Sequence, residues 1–380
     1  MKNKKFDKYC TVENSQTANK ITKDLDLIIN NILSFVKFCD AIILLGGFGR
    51  GEGSIFLNNN GDIIALNDYD LLILSENQID KNKLKTIGNE LAKKIGIDAV
   101  DIGWMHPDTL KKLRPTIINY ELKYGSRVVY GNKHILDDAP DFSPTDIPRS
   151  EALILMFNRI AGILGETSIK STNQNASLLH DERRLRIQIY KALIACGDVL
   201  LIFKRLYHHL YIERRKLFKE LNCSFLLSSY EKEIICNAYN EKLFPQQKYA
   251  NNVLEELKKC VCFIEKILKW SLQDFLNTQE NHLTKIINIY RFGNGIQWWR
   301  KNFLKVNINH SDSEIIKRSV QAIMAFTLFC APYYKKQKKI LKTVCRELSI
   351  REKKLNDENY LRIWEKSRER IFYIWEKKFH

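Results

Sequence analysis

Along this chain of 380 residues the pattern of apolar and polar positions changes character near residue 150. Before that point, short apolar runs alternate with amphipathic stretches. Residues 20–38 predict a helix, and residues 41–45 a buried strand cut off by Gly46-Gly47. Residues 58–62, Asn-Asn-Asn-Gly-Asp, predict a turn. A second strand is expected over 68–74, with a helix over 79–95 behind it. A third strand over 97–105 stops at Pro107. Residues 108–124 read as helical with a break near Pro115, and 127–130 as a short extended piece. This alternation predicts an α/β (α+β) domain built on a small mixed sheet. Pro140, Pro144 and Pro148 mark residues 137–150 as a linker.

Beyond the linker the period is almost entirely helical. Helices are expected over 151–164, 181–221, 230–243, 251–278 and 311–330, the last opened by Ser311 with Glu314 three residues on. The polar residues 168–177 read as a loop, and 341–379 as one or two basic helices. The organisation expected is a catalytic domain over 1–136, the linker, an all-α bundle over 151–280 and a basic helical region over 281–380. No apolar run reaches the 18 residues a membrane span needs, and the first residues lack the apolar stretch of a signal peptide. A soluble, cytoplasmic protein is expected. Nine Cys without an export signal predict reduced, mostly buried thiols, and their spacing forms no zinc ligand set.

Charge changes the picture. Residues 1–150 hold 20 Lys+Arg and 20 Asp+Glu, whereas 151–380 hold 41 and 24, so the whole net charge of +17 lies in the second part. Such asymmetry suggests a polyanionic partner or a phosphate-rich substrate.

The chemistry is concentrated in Leu45-Gly46-Gly47-Phe48-Gly49-Arg50-Gly51-Glu52-Gly53-Ser54, followed by Asp68-Tyr69-Asp70. A strand entering a glycine-rich turn and then a helix leaves backbone N–H groups open to phosphate oxygens, and Arg50 adds a fixed cation. Asp68 and Asp70 stand two apart on a strand and so point to one face. Their repulsion is relieved when a cation bridges them, and oxygen ligands of this kind suit Mg²⁺. Asp101, flanked by Val100 and Ile102, offers a third carboxylate on the next strand. Its competitor Asp98 differs by an odd number of positions and faces the other way.

With these residues in view, the segment over 40–131 resembles the DNA polymerase β-type nucleotidyltransferase superfamily. That pattern is an apolar strand, Gly-Gly or Gly-Ser, a basic residue with Gly, then Asp-apolar-Asp and a third acid on a neighbouring strand. Gly125-Ser126-Arg127-Val128-Val129-Tyr130-Gly131 also resembles the segment that closes this domain in small bacterial members. The resemblance implies that Asp68, Asp70 and Asp101 are catalytic and hold Mg²⁺, with two ions, and that Gly46, Gly47, Arg50, Gly51 and Ser54 bind an NTP such as ATP. Gly47 stands where many members carry Ser, and the stretch from Gly47 to Asp68 is longer than is usual. The implied reaction moves a nucleoside monophosphate to a hydroxyl or phosphate of a small molecule or protein and releases pyrophosphate.

The helical part would then select the acceptor. Lys191 and Asp198 lie seven apart on one helix face, with Tyr207, Tyr211 and Arg214 one to two turns later. They resemble the helical second domain of antibiotic- and protein-modifying nucleotidyltransferases. Arg291-Phe292-Gly293 with Trp298-Trp299-Arg300 mixes aromatic and basic residues suited to stacking on bases or sugars. Three other readings follow from the same residues: RNA or tRNA modification through the basic region, a catalytically inactive nucleotidyltransferase module used for binding, and peripheral attachment to anionic lipid through 333–379.

Overall fold

A computed structural model describes residues 8–11, 14–57, 63–65, 68–172, 175–178, 182–245, 252–292, 310–351 and 355–379. It is a mixed α/β protein with a small four-stranded mixed sheet and many helices. The chain divides into two compact units. The first comprises residues 1–148, 204–222 and 236–249; the second comprises 149–203, 223–235 and 250–380.

The first unit opens with α1 (Ser15–Phe35), whose Asn14 side chain accepts from Thr17 N at 2.9 Å and so caps the helix. Then come β1 (Ala41–Leu44), α2 (Gly46–Arg50), the paired strands β2 (Ile55–Leu57) and β3 (Ile63–Ala65), and β4 (Tyr69–Leu74). They are followed by α3 (Lys81–Ile95), β5 (Val100–Met105), α4 (Pro107–Leu110), α5 (Ile117–Tyr124) and β6 (Arg127–Gly131). The sheet order is β5-β4-β1-β6, with β4 and β5 parallel and β1 antiparallel to both β4 and β6. A parallel pair needs a crossover, and α3 supplies it. Side chains alternate between the faces. Ile42, Leu44, Tyr69, Leu71 and Ile73 meet Ile21, Leu25, Ile28 and Ile32 of α1 and Leu84 and Leu91 of α3. Ala41, Ile43, Leu72 and Leu74 face the other way, toward Leu110, Leu122 and Ile135.

In the second unit α6 (Arg149–Glu166), α7 (Glu182–Phe203) and α10 (Val253–Leu276) pack together, burying Met156, Phe157, Leu193, Val199, Ile264 and Ile267. The helix α9 (Ser229–Leu243) is divided between the units, and α11 (Leu283–Phe292) precedes the helices His310–Phe329, Lys338–Glu347 and Tyr360–Phe379.

Three expectations are corrected. Residues 168–177 are not a loop: β7 (Ile169–Thr172) and β8 (Asn175–Leu178) form a hairpin. Its Ser, Thr and Asn content reads as a loop because a short polar ladder carries no apolar alternation. Residues 181–221 are not one helix. The chain leaves α7 after Phe203, Arg205 takes a left-handed φ of 62°, and a new helix, α8 (Tyr211–Glu220), begins six residues later. No Gly or Pro announces that break. The basic C-terminal stretch is two helices, as one of the two expected arrangements has it, but the first starts at Lys338 rather than at residue 341. The expected turn over 58–62 lies outside the described residues, as does the aromatic-basic cluster beyond Phe292. Arg291 is buried and ion-paired with Glu347. Among the described residues no helix is long and apolar enough to cross a membrane.

Candidate active site

Strand β1 delivers the chain into the glycine turn beside β4. Leu44 pairs with Leu71 across the ladder, and Leu45 N donates to Asp70 O at 2.8 Å. The next residue, Gly46, has φ +62° and lies under the Asp70 carboxylate: a Cβ there would stand 2.1 Å from Asp70 Oδ2. Only a residue without Cβ lets this carboxylate settle against the turn. Two of the sequence-predicted acids, Asp70 and Asp101, share one face, while Asp68 lies just before β4 begins. Asp68 lies two residues before Asp70, and Asp101 of β5 is the register partner of Asp70. Adjacent strands lie roughly 4.8 Å apart, so opposed side chains on one face are neighbours. Asp68 and Asp70 are half-buried and Asp101 is exposed. Asp98 sits exposed in the bend before β5, outside this row.

Helix α2 ends at Gly51, which takes a left-handed φ of 76° and donates its N–H back to the helix. Gly47 O accepts from Glu52 N at 2.9 Å. Arg50 is buried rather than displayed at the turn. Its NH1 meets Glu121 Oε2 of α5 at 2.9 Å, and its guanidinium lies 4.9 Å from the Tyr211 ring centre. Burial works against the charge on Arg50, but Glu121, Tyr211 and Glu52 outweigh burial and the nearby Arg214, and its pKa is raised. Ser54 is likewise buried, its Oγ donating to Lys242 O at 2.5 Å.

Residues 204–222 complete this interior, and no sequence motif announced it. Tyr207 OH donates to Glu121 Oε1 at 2.6 Å, and Arg214 NH2 reaches the same oxygen at 3.2 Å. The Arg214 guanidinium lies 3.8 Å from the Tyr211 ring centre. Glu52, 5% exposed, accepts from Tyr211 N at 2.8 Å and Ile212 N at 2.9 Å. It thereby satisfies two N–H groups that a helix N-terminus leaves unpaired, with a charge the helix dipole favours. The signal available in the sequence was an acid between glycines, Gly51-Glu52-Gly53, too brief to assign a partner.

The proposed acceptor residues are not all brought together by one unit. Tyr207 and Tyr211 belong to the first unit, where they pack on Arg214. Lys191 and Asp198 lie on α7 of the second, where Asp198 is buried.

Among the described residues no three His, Cys, Asp or Glu side chains stand together as a metal cage. Mg²⁺ differs from zinc in needing none: it is held through one or two carboxylates, with waters and substrate phosphates completing the octahedron. Asp70 and Asp101, register partners on neighbouring strands, are two carboxylates of the kind such a site uses, and with Asp68 they do not form a group of three. No protein-family model matches this chain, and no curated protein matches its sequence.

Proposed function

We propose that the protein is an Mg²⁺-dependent nucleotidyltransferase that moves a nucleoside monophosphate from an NTP to a hydroxyl or phosphate of a small molecule or protein. The observation carrying this reading is the pair Asp70 and Asp101, register partners on one sheet face, with Asp68 just before β4 and the Asp70 carboxylate resting on Gly46 of the glycine turn. Asp68 and Asp70 would hold the metal, with Asp101 completing the set. The ion, when bound, supplies charge neutralisation at the triphosphate.

The chain's own residues do the rest. Gly46, half-buried beneath the Asp70 carboxylate, would be the point of the turn nearest the triphosphate, whereas Gly47 is buried and shapes the turn from inside. Arg50, inside the unit, supports the turn through Glu121, so its part in NTP binding is indirect. Asp101 is the most exposed of the three acids and the one an acceptor can approach. As the acceptor oxygen bonds to the α-phosphorus, its proton passes to Asp101 Oδ and the bond to the pyrophosphate oxygen breaks. Positioning and charge neutralisation account for the acceleration.

Incubation with four α-labelled NTPs, Mg²⁺ and fractionated cell extract tests this reading. One labelled fraction is expected, lost with EDTA and restored by Mg²⁺. Asp70→Ala should lower labelling by roughly a hundredfold or more, the scale of removing a group that stabilises transition-state charge. Its far-ultraviolet circular dichroism should match that of the parent, so that the loss is one of chemistry and not of fold. Labelling by Asp70→Ala at the parent rate defeats the assignment.

A further inference from the structure

The second unit carries a surface that the nucleotidyl-transfer reading does not use. It contains 34 Lys+Arg against 21 Asp+Glu, a net of +13, whereas the first contains 27 against 23, a net of +4. Six of the second unit's Lys+Arg, against one Glu, lie on the helix Lys338–Glu347 and the turn before it. Leu341, Val344 and Leu348 are buried and fix which face points inward. Lys335, Lys336, Lys338, Lys339, Lys342 and Arg346 are all exposed. The spacing 338/339, 342, 346 follows the helical repeat, so the outward face is a cationic stripe, and residues one turn apart on it lie about 5–6 Å from each other. Lys338 is paired with Asp357 at 3.1 Å, and Arg346 stands 3.6 Å from Glu347. Among the described residues Lys336, Lys339 and Lys342 meet no carboxylate. The last helix packs against this one and places Arg362, Lys366 and Arg370 outward at intervals of four.

We infer that this stripe is a docking surface for duplex nucleic acid, held through its phosphates. Like charges crowded on one helix repel and are tolerated at low cost only in water or against a polyanion. The choice of polyanion follows from what the face lacks. Attachment to a lipid surface by a helix relies on apolar side chains entering the headgroup boundary, and here the apolar side is committed to the core. Single strands are gripped by stacking bases on aromatic rings, and the outward positions of this helix hold none. On the helix Lys338–Glu347 the row of cations without rings or apolar anchors matches the rigid phosphate row of a duplex, which carries one negative charge per roughly 1.7 Å of axis; the exposed ring of Tyr373 stands on the last helix instead. Contacts of this kind read no bases, so binding is independent of sequence.

The test is fluorescence anisotropy with the full chain and a labelled 20-base-pair duplex. About four phosphate contacts predict a roughly hundredfold loss of affinity between 50 and 200 mM salt. Lys339→Glu/Lys342→Glu should weaken binding by at least about tenfold and flatten the salt dependence by about two contacts. Lys93→Glu/Lys94→Glu, the same charge change on exposed residues of α3, should leave most of the affinity in place. Both pairs are exposed, so melting temperatures should match the parent; if the first pair fails to fold, Lys335→Ala/Lys336→Ala takes its place. Three results overturn the inference: binding that ignores salt, equal losses in the two charge-reversed pairs, or tighter binding to phosphatidylserine vesicles or to the separated single strand than to the duplex. None of these readouts involves nucleotide transfer.

Discussion

At the scale of single residues, the candidate site depends on an absent side chain. Gly46 takes a left-handed φ, which costs an L-residue roughly 1–2 kcal/mol, and its missing Cβ is the space into which Asp70 Oδ2 fits. Gly46→Ala therefore acts twice. The strain lowers stability by about 1–2 kcal/mol, which a shifted urea midpoint reports. The methyl, 2.1 Å from a carboxylate oxygen, also drives Asp70 off its position. If the proposed chemistry is right, labelling should fall as far in Gly46→Ala as in Asp70→Ala, although no acid has been removed. A variant with reduced stability and undiminished labelling would separate the turn from the chemistry. The glycine turn and the strands carrying Asp70 and Asp101 were legible because each obeys a local rule, a strand stopped by Gly-Gly and short apolar runs cut by turns, whereas Asp68, expected on the same strand as Asp70, lies just before it. The contact between Gly46 and Asp70 was not legible, since it depends on β1 and β4 being antiparallel neighbours in one register.

At the scale of elements, the sheet was readable and the completion of its interior was not. Strands β1, β4 and β5 are apolar runs bounded by turn residues, and pattern locates them. The segment 204–222 has helical periodicity that runs on from α7, so the break at Arg205 is hidden; within the first unit, bonds to Glu121 and Glu52 hold the segment. Likewise Arg50 reads as a phosphate contact from its place in a motif, yet the fold commits it to Glu121. The same segment carries His208 and His209, stacked at 4.2 Å, with His209 beside Tyr120 and Tyr124. Burial pushes the His209 pKa down to about 3; His208, Arg214 and Arg50 add to the shift and Glu121 opposes it. An unfolded chain binds this proton near pH 6.5, so from there down to about 3 the unfolded state holds more protons. Stability present above pH 6.5 is then lost as pH falls, by at most about 1.4 kcal/mol per pH unit from this group. His209→Gln removes that contribution: between pH 7 and pH 5 its urea midpoint should fall less than that of the parent. Equal falls would mean that His209 is protonated in the folded protein.

At the scale of the whole molecule, the first unit is not a continuous piece of chain. Its sheet, glycine turn and acids all lie within residues 1–148, but 204–222 and 236–249 belong to the same compact unit. The bonds they supply are part-buried and mostly charged. Glu121 takes Tyr207 and Arg214, Glu52 takes the start of α8, and Ser54 takes Lys242 O. A fragment of residues 1–148 would retain Arg50, Glu52 and Glu121 and lose these partners. Leaving a buried charge or donor unsatisfied costs about 1–3 kcal/mol per group, more for charges, against the 5–15 kcal/mol by which domains are stable. The fragment should therefore keep secondary structure by far-ultraviolet circular dichroism but lose its cooperative thermal transition and bind a hydrophobic dye. Adding Glu52→Gln and Glu121→Gln to the fragment neutralises the stranded acids, yet Arg50 then loses its counter-charge, so the transition should not return. If residues 1–148 melt cooperatively without those changes, the interior built from Glu52, Arg50 and Glu121 is not what holds the unit together, and the site's geometry must rest on the sheet and its two apolar faces alone.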